Sequence, residues 1–281
     1  MGTNRLAVAA QVEKSRIFRA LHEREEAFII PNPWDVGTAR LLAHLGFEAL
    51  ATTSMGHAFS QGKRDGALGR ERTLAYASSI ASATLLPVSA DLENGFGDSP
   101  DVVSETIRLA ANAGVVGGSI EDATGRVEDP IYALDFAVER VRAAVTAARA
   151  LPFTFTLTAR AENYLHGRPD LKDTIKRLQA FEQAGADVLY APGLTTKEEI
   201  VTVVNSVHRP VNVLMGLRRA QLSLAELSMI GVKRISVGSS LARAALSAFL
   251  RAAREMREEG TFTFANQAVN SNEITPIFTE S

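Results

Sequence analysis

The chain has 281 residues, of which 46% are hydrophobic and 22% charged, a composition typical of a globular protein and not of a disordered or fibrous one. The 30 basic and 32 acidic residues give a formal net charge of −2, which indicates no nucleic-acid-binding face. No apolar run reaches the roughly 18 residues of a membrane helix, and the first residues lack the apolar segment of a signal peptide. The absence of cysteine excludes disulfides, thiolate zinc sites and a cysteine nucleophile. We therefore expect a cytoplasmic protein without a nucleic-acid or membrane partner.

Short strand-like segments alternate with helix-length amphipathic segments along most of the chain. Eight strands are predicted, at Phe28–Pro31, Ala49–Thr53, Pro87–Asp91, Gly117–Glu121, Phe153–Ala159, Asp187–Ala191, Val211–Leu214 and Arg234–Val237. Helices are predicted at Arg5–Arg24, Asp35–Leu45, Arg70–Thr84, Pro100–Ala113, Leu134–Ala150, Asp170–Ala184, Thr196–Asn205, Ser223–Ile230 and Ser240–Glu259. Four of the helices run into a glycine, the residue that best tolerates the left-handed backbone after a helix end.

This alternation predicts parallel strands joined by right-handed crossovers. Eight such units in about 240 residues favour an α/β fold, a (β/α)8 TIM barrel with an extra N-terminal helix and a C-terminal extension. A doubly wound open sheet is the alternative, but it usually carries a Gly-rich turn after its first strand, where this chain has Pro31-Asn-Pro-Trp-Asp35. We expect a single domain over residues 1–281, with the barrel core at about 25–260 and a polar, irregular tail over Thr261–Ser281.

Three neighbouring strands lead into charged side chains. The third leads into Asp91 and Glu93, the fourth ends at Glu121, and the fifth is followed by Arg160. Because the active site of a TIM barrel lies at the C-terminal ends of its strands, these side chains are predicted to meet there. Carboxylates without His or Cys suit a hard cation such as Mg²⁺, and an arginine suits a substrate carboxylate or phosphonate. The alternative is a closed ion-pair network, in which buried like charges are costly without a cation.

Other polar residues near the strand ends are candidates for proton transfer or substrate binding. Tyr190 closes the sixth strand, Asn212 lies on the seventh, and His57 and His166 are predicted on loops at the same face. Packing or solvation is the alternative role for each of them. A Schiff-base aldolase is disfavoured, because the one lysine that borders a strand, Lys233, lies at the wrong end.

The motifs Asp91-Leu-Glu93-Asn-Gly-Phe-Gly97, Ile120-Glu121-Asp122 and Thr158-Ala-Arg160-Ala-Glu162 resemble those of the isocitrate lyase/phosphoenolpyruvate mutase superfamily. The resemblance extends to Ala51–Gly56 and Gly62–Gly66 and covers nearly the whole barrel. It implies an enzyme dependent on Mg²⁺, or alternatively Mn²⁺, that acts on small α-keto or α-hydroxy acids through an enolate-like intermediate.

The resemblance also implies roles for individual residues. It places Asp91, Glu93 and Glu121 at the metal and its waters; Arg160, Thr53, Ser54, Gly56 and Asp91 at the substrate; and Arg160, Asp65 and Glu121 in catalysis. Two further candidates come from strand position and not from the resemblance: Tyr190 for catalysis and Asn212 for substrate binding. The family pattern has Asp where this chain has Glu93.

The loop after the fourth strand departs from the family. Over Ala123–Pro130 the chain lacks the Lys-Lys/Arg-Cys-Gly-His segment of the cleaving lyases and the lysine and Asn-Ser of the phosphonomutases. We predict that this loop covers the site without supplying a proton. Decarboxylation of oxaloacetate requires only an electron sink at the keto oxygen, so a lyase of oxaloacetate-decarboxylase type is the favoured function. The alternatives are C–C cleavage of a substituted malate or methylisocitrate-like acid, phosphonomutase-type C–P chemistry, and a keto-acid-binding protein that has lost turnover.

The resemblance further implies a homo-oligomer, either a dimer or a tetramer. The long helix Ser240–Glu259, with Leu241, Ala245, Ala248 and Phe249 along one face, is the candidate for an element exchanged between subunits. Packing of this helix onto its own barrel is the alternative.

Overall fold

A computed structural model describes residues 2–216 and 221–279. Eight strands in these residues form one sheet: β1 Phe28–Ile30, β2 Leu50–Ala51, β3 Val88–Asp91, β4 Gly117–Glu121, β5 Thr156–Arg160, β6 Val188–Tyr190, β7 Val211–Leu214 and β8 Arg234–Ser236. Their order is β1-β8-β7-β6-β5-β4-β3-β2, and every pairing is parallel. The Ala51 amide donates to the Pro31 carbonyl at 3.0 Å, which brings the edges together in a nearly closed barrel. The predicted (β/α)8 barrel is confirmed.

Helices follow the strands around the barrel. They are α1 Gly2–Glu23, α2 Val36–His44, α3 Ser54–Ser60, α4 Gly69–Ala83, α5 Pro100–Asn112, α6 Leu134–Arg149, α7 Leu171–Gln183, α8 Lys197–Ser206, α9 Leu224–Met229, α10 Ser240–Glu258 and α11 Ser271–Thr279, with a 3-10 helix at Thr263–Gln267. At the helix ends, Gly114 and Gly185 adopt φ values of +91° and +100°, as glycine allows.

Three predictions of local structure were wrong. The short helix α3 was not predicted; it forms because the Thr53 hydroxyl caps it by accepting the Gly56 amide at 3.2 Å. The tail was predicted to be irregular, but it contains α11, which packs against α2. The fifth strand was predicted from Phe153, but its pairing with β4 begins only at Thr156.

The apolar core lies between the strands and the surrounding helices, with Leu157 and Phe155 among its fully buried side chains. Inside the barrel the strands instead bury polar side chains: Ser89, Thr158, Asn212, Arg234 and Ser236. The helix α1 closes the N-terminal end, where the His22 ring packs edge-on against two phenylalanine rings. A polar interior that is closed at one end leaves the C-terminal end as the entrance.

The helix α10 does not pack along the barrel wall as the other helices do. Ala242 is its one buried residue, and Phe249 is 68% exposed. The alternative that α10 packs onto its own barrel is therefore not what the structure shows. None of the helices in the described part of the chain combines the length and apolarity needed to cross a membrane.

Candidate active site

A cavity of about 260 Å³ lies at the C-terminal ends of the strands. Its lining includes the predicted residues Thr53, Ser54, Asp65, Asp91, Arg160, Tyr190 and Asn212. The cavity continues outward along a rim that adds Glu93 and Glu121. The barrel therefore brings together nearly all the residues that the sequence singled out.

Arg160 lies at the centre of the charged groups. Its Nη1 lies 3.1 Å from Asp91 Oδ1 and 2.9 Å from Glu121 Oε1, and its Nε donates to Glu162 Oε1 at 2.7 Å. Burial opposes its charge, but the three carboxylates together raise the pKa of Arg160 well above its ordinary value. Its Nη2 forms no hydrogen bond among the described residues, and Arg160 lines the cavity, so Nη2 is the candidate atom for contact with a ligand. Glu162, which completes the cluster, was not among the predicted site residues.

The carboxyl groups around Arg160 repel one another. Burial, with help from Asp91 and Asp65, raises the pKa of Glu93 to about 7. Burial also raises the pKa of Glu121 well above its ordinary value. Arg160 opposes this shift, and the nearby carboxylates add to it. One guanidinium does not neutralise this many carboxylates, so the cluster fits an additional cation.

The donor set restricts how such a cation would be held. Among the residues that the structure describes, no three His, Asp or Glu side chains are arranged as joint metal ligands. Asp91 already accepts the Ser54 amide at 3.2 Å through Oδ2. All candidate donors are carboxylate oxygens, the ligands that Mg²⁺ prefers, and Mg²⁺ commonly binds through one or two carboxylates and several waters. The residues therefore fit a hydrated hard cation better than a fully protein-coordinated one.

A buried arginine on α6 fixes the loop that carries Glu93. Arg140 Nη1 donates to the Gly97 carbonyl at 2.7 Å, and its two terminal nitrogens also donate to the carbonyls of Asp98 and Asn94. Glu93 has a φ of +48°, which is uncommon for a residue with a side chain and must be maintained by its surroundings. Arg140 is thus placed to hold this carboxylate indirectly, through the loop backbone.

The loop over residues 123–130 is tied to the same segment. Arg126 Nη1 contacts the Asp98 carboxylate at 2.9 Å, and the Tyr132 hydroxyl donates to it as well. The Thr124 amide donates to the Pro130 carbonyl at 2.8 Å and closes the loop at its base. Arg126 therefore points along the rim toward Asp98, while Ala123 and Gly125 line the outer part of the cavity.

Tyr190 and Asn212 lie on the part of the cavity wall formed by β6 and β7, next to Arg160. The Arg160 guanidinium carbon lies 4.9 Å from the centre of the Tyr190 ring, and burial raises the pKa of this phenol to about 12. The Asn212 amide is engaged on both sides: its Nδ2 donates to the Ser236 hydroxyl at 3.0 Å, and its Oδ1 accepts from Arg234 Nε at 2.8 Å. Arg234 was missed because it was considered only as the start of a strand.

The remaining candidates lie at the edge of the cavity or outside it. Asp65 is on the rim near the Ser54 hydroxyl, and its pKa is raised, mainly by desolvation. The Gly56 amide is bonded to Thr53, and Gly56 does not line the cavity. His57 was predicted on a loop but lies in α3. Its ring stacks on Tyr76, with the ring centroids 3.9 Å apart, and it does not line the cavity. His166, the other histidine that was predicted on a loop at this face, lies on the outer rim of the cavity.

Residues 18–257 match the phosphoenolpyruvate phosphomutase family. The chain belongs to the isocitrate lyase/phosphoenolpyruvate mutase superfamily. A superfamily structure from Burkholderia cenocepacia J2315, described as a proposed lyase/mutase, is 64% identical and aligns with a TM-score of 0.95 over 96% of this chain and 97% of its own.

Two superfamily relatives have named activities. The oxaloacetate decarboxylase of Pseudomonas aeruginosa strain LESB58 is 28% identical over 257 residues, which cover 89% of this chain and 87% of that protein. The 2,3-dimethylmalate lyase of Eubacterium barkeri is 28% identical over 223 residues, or 76% of this chain and 75% of that protein. The resemblance inferred from the motifs is confirmed, and these homologues are lyases that act on small keto or dicarboxylic acids.

Proposed function

We propose that this protein is a Mg²⁺-dependent lyase that decarboxylates oxaloacetate through an enolate intermediate. The observation that carries the proposal is the arrangement around Arg160. Its Nη1 and Nε are held by carboxylates, while its Nη2 is left for a substrate carboxylate in the cavity. The related oxaloacetate decarboxylase supports this choice of substrate.

The carboxylate cluster supports the choice of cofactor. Asp91, Glu93 and Glu121 are the residues that would hold Mg²⁺ and its waters, with Mn²⁺ as an alternative ion, because their mutual repulsion is relieved by a divalent cation. When bound, such a cation supplies Lewis acidity toward a keto oxygen on which negative charge develops.

The protein residues contribute orientation, exclusion of water and a proton. The Arg160 side chain is only 13% exposed, so a bond from Nη2 to a substrate carboxylate is weakly screened and fixes the acid in one direction. Loss of CO₂ breaks the bond between the carboxylate carbon and its neighbour, and the electron pair remains as an enolate that must be protonated on carbon. With a pKa of about 12, Tyr190 keeps its proton at neutral pH and is our candidate donor.

The loop over residues 123–130 favours decarboxylation over other reactions of the superfamily. CO₂ leaves without being protonated, so this reaction does not require an acid in the loop. The one cation of the loop, Arg126, is paired with Asp98 on the rim and is therefore poorly placed to receive a phosphoryl group. The second candidate is C–C cleavage of a substituted malate, which needs a base at the substrate hydroxyl. Asp65 on the cavity rim and the related 2,3-dimethylmalate lyase favour it.

Turnover of the purified protein tests the proposal. We expect oxaloacetate with Mg²⁺ to yield pyruvate and CO₂ faster than the metal alone does, and Asp91→Ala to abolish the difference. Asp101→Ala, a change at an exposed residue in the first turn of α5, is the matched control. A panel of C4–C6 acids that includes 2,3-dimethylmalate identifies the second candidate. Tight binding of keto acids without any Mg²⁺-dependent turnover would contradict the enzyme and favour a binding protein.

We also propose that the protein is a homo-oligomer, either a dimer or a tetramer, in which a neighbouring subunit covers the exposed apolar face of α10. Leu246, Phe249 and Leu250 are each at least 40% exposed on this helix, an arrangement that a partner subunit would bury. Light scattering should give a multiple of the 30.2 kDa chain mass, and Phe249→Glu should reduce it. A wild-type mass near that of one chain would contradict the proposal.

A further inference from the structure

Arg234 is a buried cation at the floor of the cavity. Its side chain is inside the barrel, where Nη2 donates to Thr158 Oγ1 at 2.9 Å and Nε donates to Asn212 Oδ1 at 2.8 Å. Thr158 is two residues before Arg160 on the same face of β5, so Arg234 lies one layer deeper than Arg160. Both arginines line the same cavity.

All the hydrogen-bond partners of Arg234 are neutral. At its far end, Nη1 lies 3.5 Å from His22 Nε2. His22 donates from Nδ1 to the Phe18 carbonyl at 2.8 Å, so its Nε2 is an acceptor, and burial together with Arg234 lowers its pKa to about 3. The nearby ionisable groups that affect Arg234 are Tyr190, which is neutral, and Arg160, which is another cation.

This lack of an anionic partner distinguishes Arg234 from Arg160 and Arg177. Arg140 also has no ion pair among the described residues, but its terminal nitrogens donate to three backbone carbonyls, whereas Arg234 has two neutral side chains and a neutral histidine ring. Arg160 is paired with three carboxylates, and Arg177 is paired with Asp122 and Asp173. Within residues 2–216 and 221–279, Arg234 forms no ion pair. A buried charge without a counter-charge is costly, which suggests that an anion from outside the protein completes the site.

We propose that Arg234 forms an anion subsite on the cavity floor that selects acids carrying a second carboxylate beyond the one bound by Arg160. The inference rests on the proposed function and names the class of acid that the cavity prefers. Three of the five N–H groups of Arg234 are engaged, so each terminal nitrogen retains one N–H, a pair that suits the two oxygens of a carboxylate. Arg160 lies toward the mouth of the cavity and Arg234 lies at its floor, so a dicarboxylic acid has a cationic partner for each of its carboxylates.

The kinetic consequence depends on where the second carboxylate goes. In oxaloacetate it is the group lost as CO₂, so its contact with Arg234 stabilises the bound substrate more than the transition state. Arg234 should therefore lower KM without raising kcat. Arg234→Gln is expected to raise KM and to leave kcat unchanged or higher.

Calorimetric titrations with ligands that are not turned over test the subsite directly. Malate and lactate differ by the second carboxylate, and oxalate lacks any extension toward the floor. With Mg²⁺ present, wild type should bind malate about 10- to 100-fold more tightly than lactate, the range expected for a charge-assisted hydrogen-bonded pair. In Arg234→Gln this ratio should fall to near one, while oxalate affinity changes by less than about threefold. Arg234→Lys keeps the charge and should retain part of the preference, and Arg177→Gln, a change at a buried arginine outside the cavity, should retain all of it.

The outcomes separate the two proposals. Wild type that binds oxalate but does not prefer malate to lactate overturns the subsite and leaves the proposed function standing, and this result needs no variant. A preference that persists in folded Arg234→Gln also overturns the subsite. Malate binding that depends on Arg234 without any oxalate binding supports the subsite and contradicts the proposed function. Wild type that binds none of the three acids contradicts both.

Discussion

Replacing Arg160 with lysine keeps a positive charge among the carboxylates but removes the planar fork that reaches them. Nη1 contacts Asp91 and Glu121 at 3.1 and 2.9 Å, and Nε contacts Glu162 at 2.7 Å on the other edge of the guanidinium. A lysine ammonium is a single point and cannot occupy both edges and also present Nη2 to a substrate. We expect the variant to lose stability and substrate affinity together.

The two losses have different sizes. A charge-assisted hydrogen bond contributes about 1.5–3 kcal/mol, so loss of the Nη2 contact to a substrate carboxylate should raise KM about 10- to 100-fold. Because the charge is retained, the stability cost should be below the roughly 3–5 kcal/mol that follows from removing one partner of a buried ion pair.

Steady-state kinetics with oxaloacetate and urea unfolding measure the two quantities on the same preparation. Arg177→Lys is the matched control, because Arg177 is also buried and paired with two carboxylates but does not line the cavity. It should lose stability with little change in KM. If Arg160→Lys behaves in the same way, Arg160 is a structural ion-pair partner and our interpretation of Nη2 is wrong.

Three further changes test the surroundings of the site. Arg140→Met releases the loop that carries Glu93, so the Mg²⁺ concentration for half-maximal activity should rise about tenfold, and a change only in KM for the acid would contradict this role. Arg126→Ala breaks the half-exposed ion pair with Asp98, which contributes less than about 1 kcal/mol. Keto-acid binding should therefore weaken only modestly, and the pH dependence of turnover should not change. Loss of turnover with metal binding intact would show that the loop is catalytic. Because the pKa of His22 is lowered to about 3, the unfolded chain binds more protons between that pH and about 6.5, and the wild type should lose up to about 1.4 kcal/mol of stability per pH unit on acidification through this range. His22→Gln should flatten this part of the urea-unfolding profile, and an unchanged slope would mean that His22 is not the titrating group.

The alternation of strands and helices was predictable because each element carries a local signal. Helix ends are marked by glycines such as Gly114 and Gly185, whose positive φ the structure confirms. The exceptions depend on contacts that sequence periodicity does not encode. The helix α3 has only seven residues and contains Gly56, and α11 lies in a tail that is ordered by packing against α2.

The charged cluster was predictable for a related reason, since position at a strand end defines where a side chain meets its neighbours in a barrel. Asp91, Glu121 and Arg160 were identified in this way. Arg234 was not, because the depth that a side chain reaches inside a barrel depends on the stagger between strands. Arg234 reaches Thr158 across three strand positions, a contact that no spacing along the sequence reveals.

A crystal structure with Mg²⁺ and oxalate tests the central claim most directly. We expect a metal ion at Asp91, with Glu93 and Glu121 contacting it or its waters, and an oxalate oxygen within hydrogen-bonding distance of Arg160 Nη2. A metal bound elsewhere, or an oxalate that does not approach Arg160, would contradict the claim.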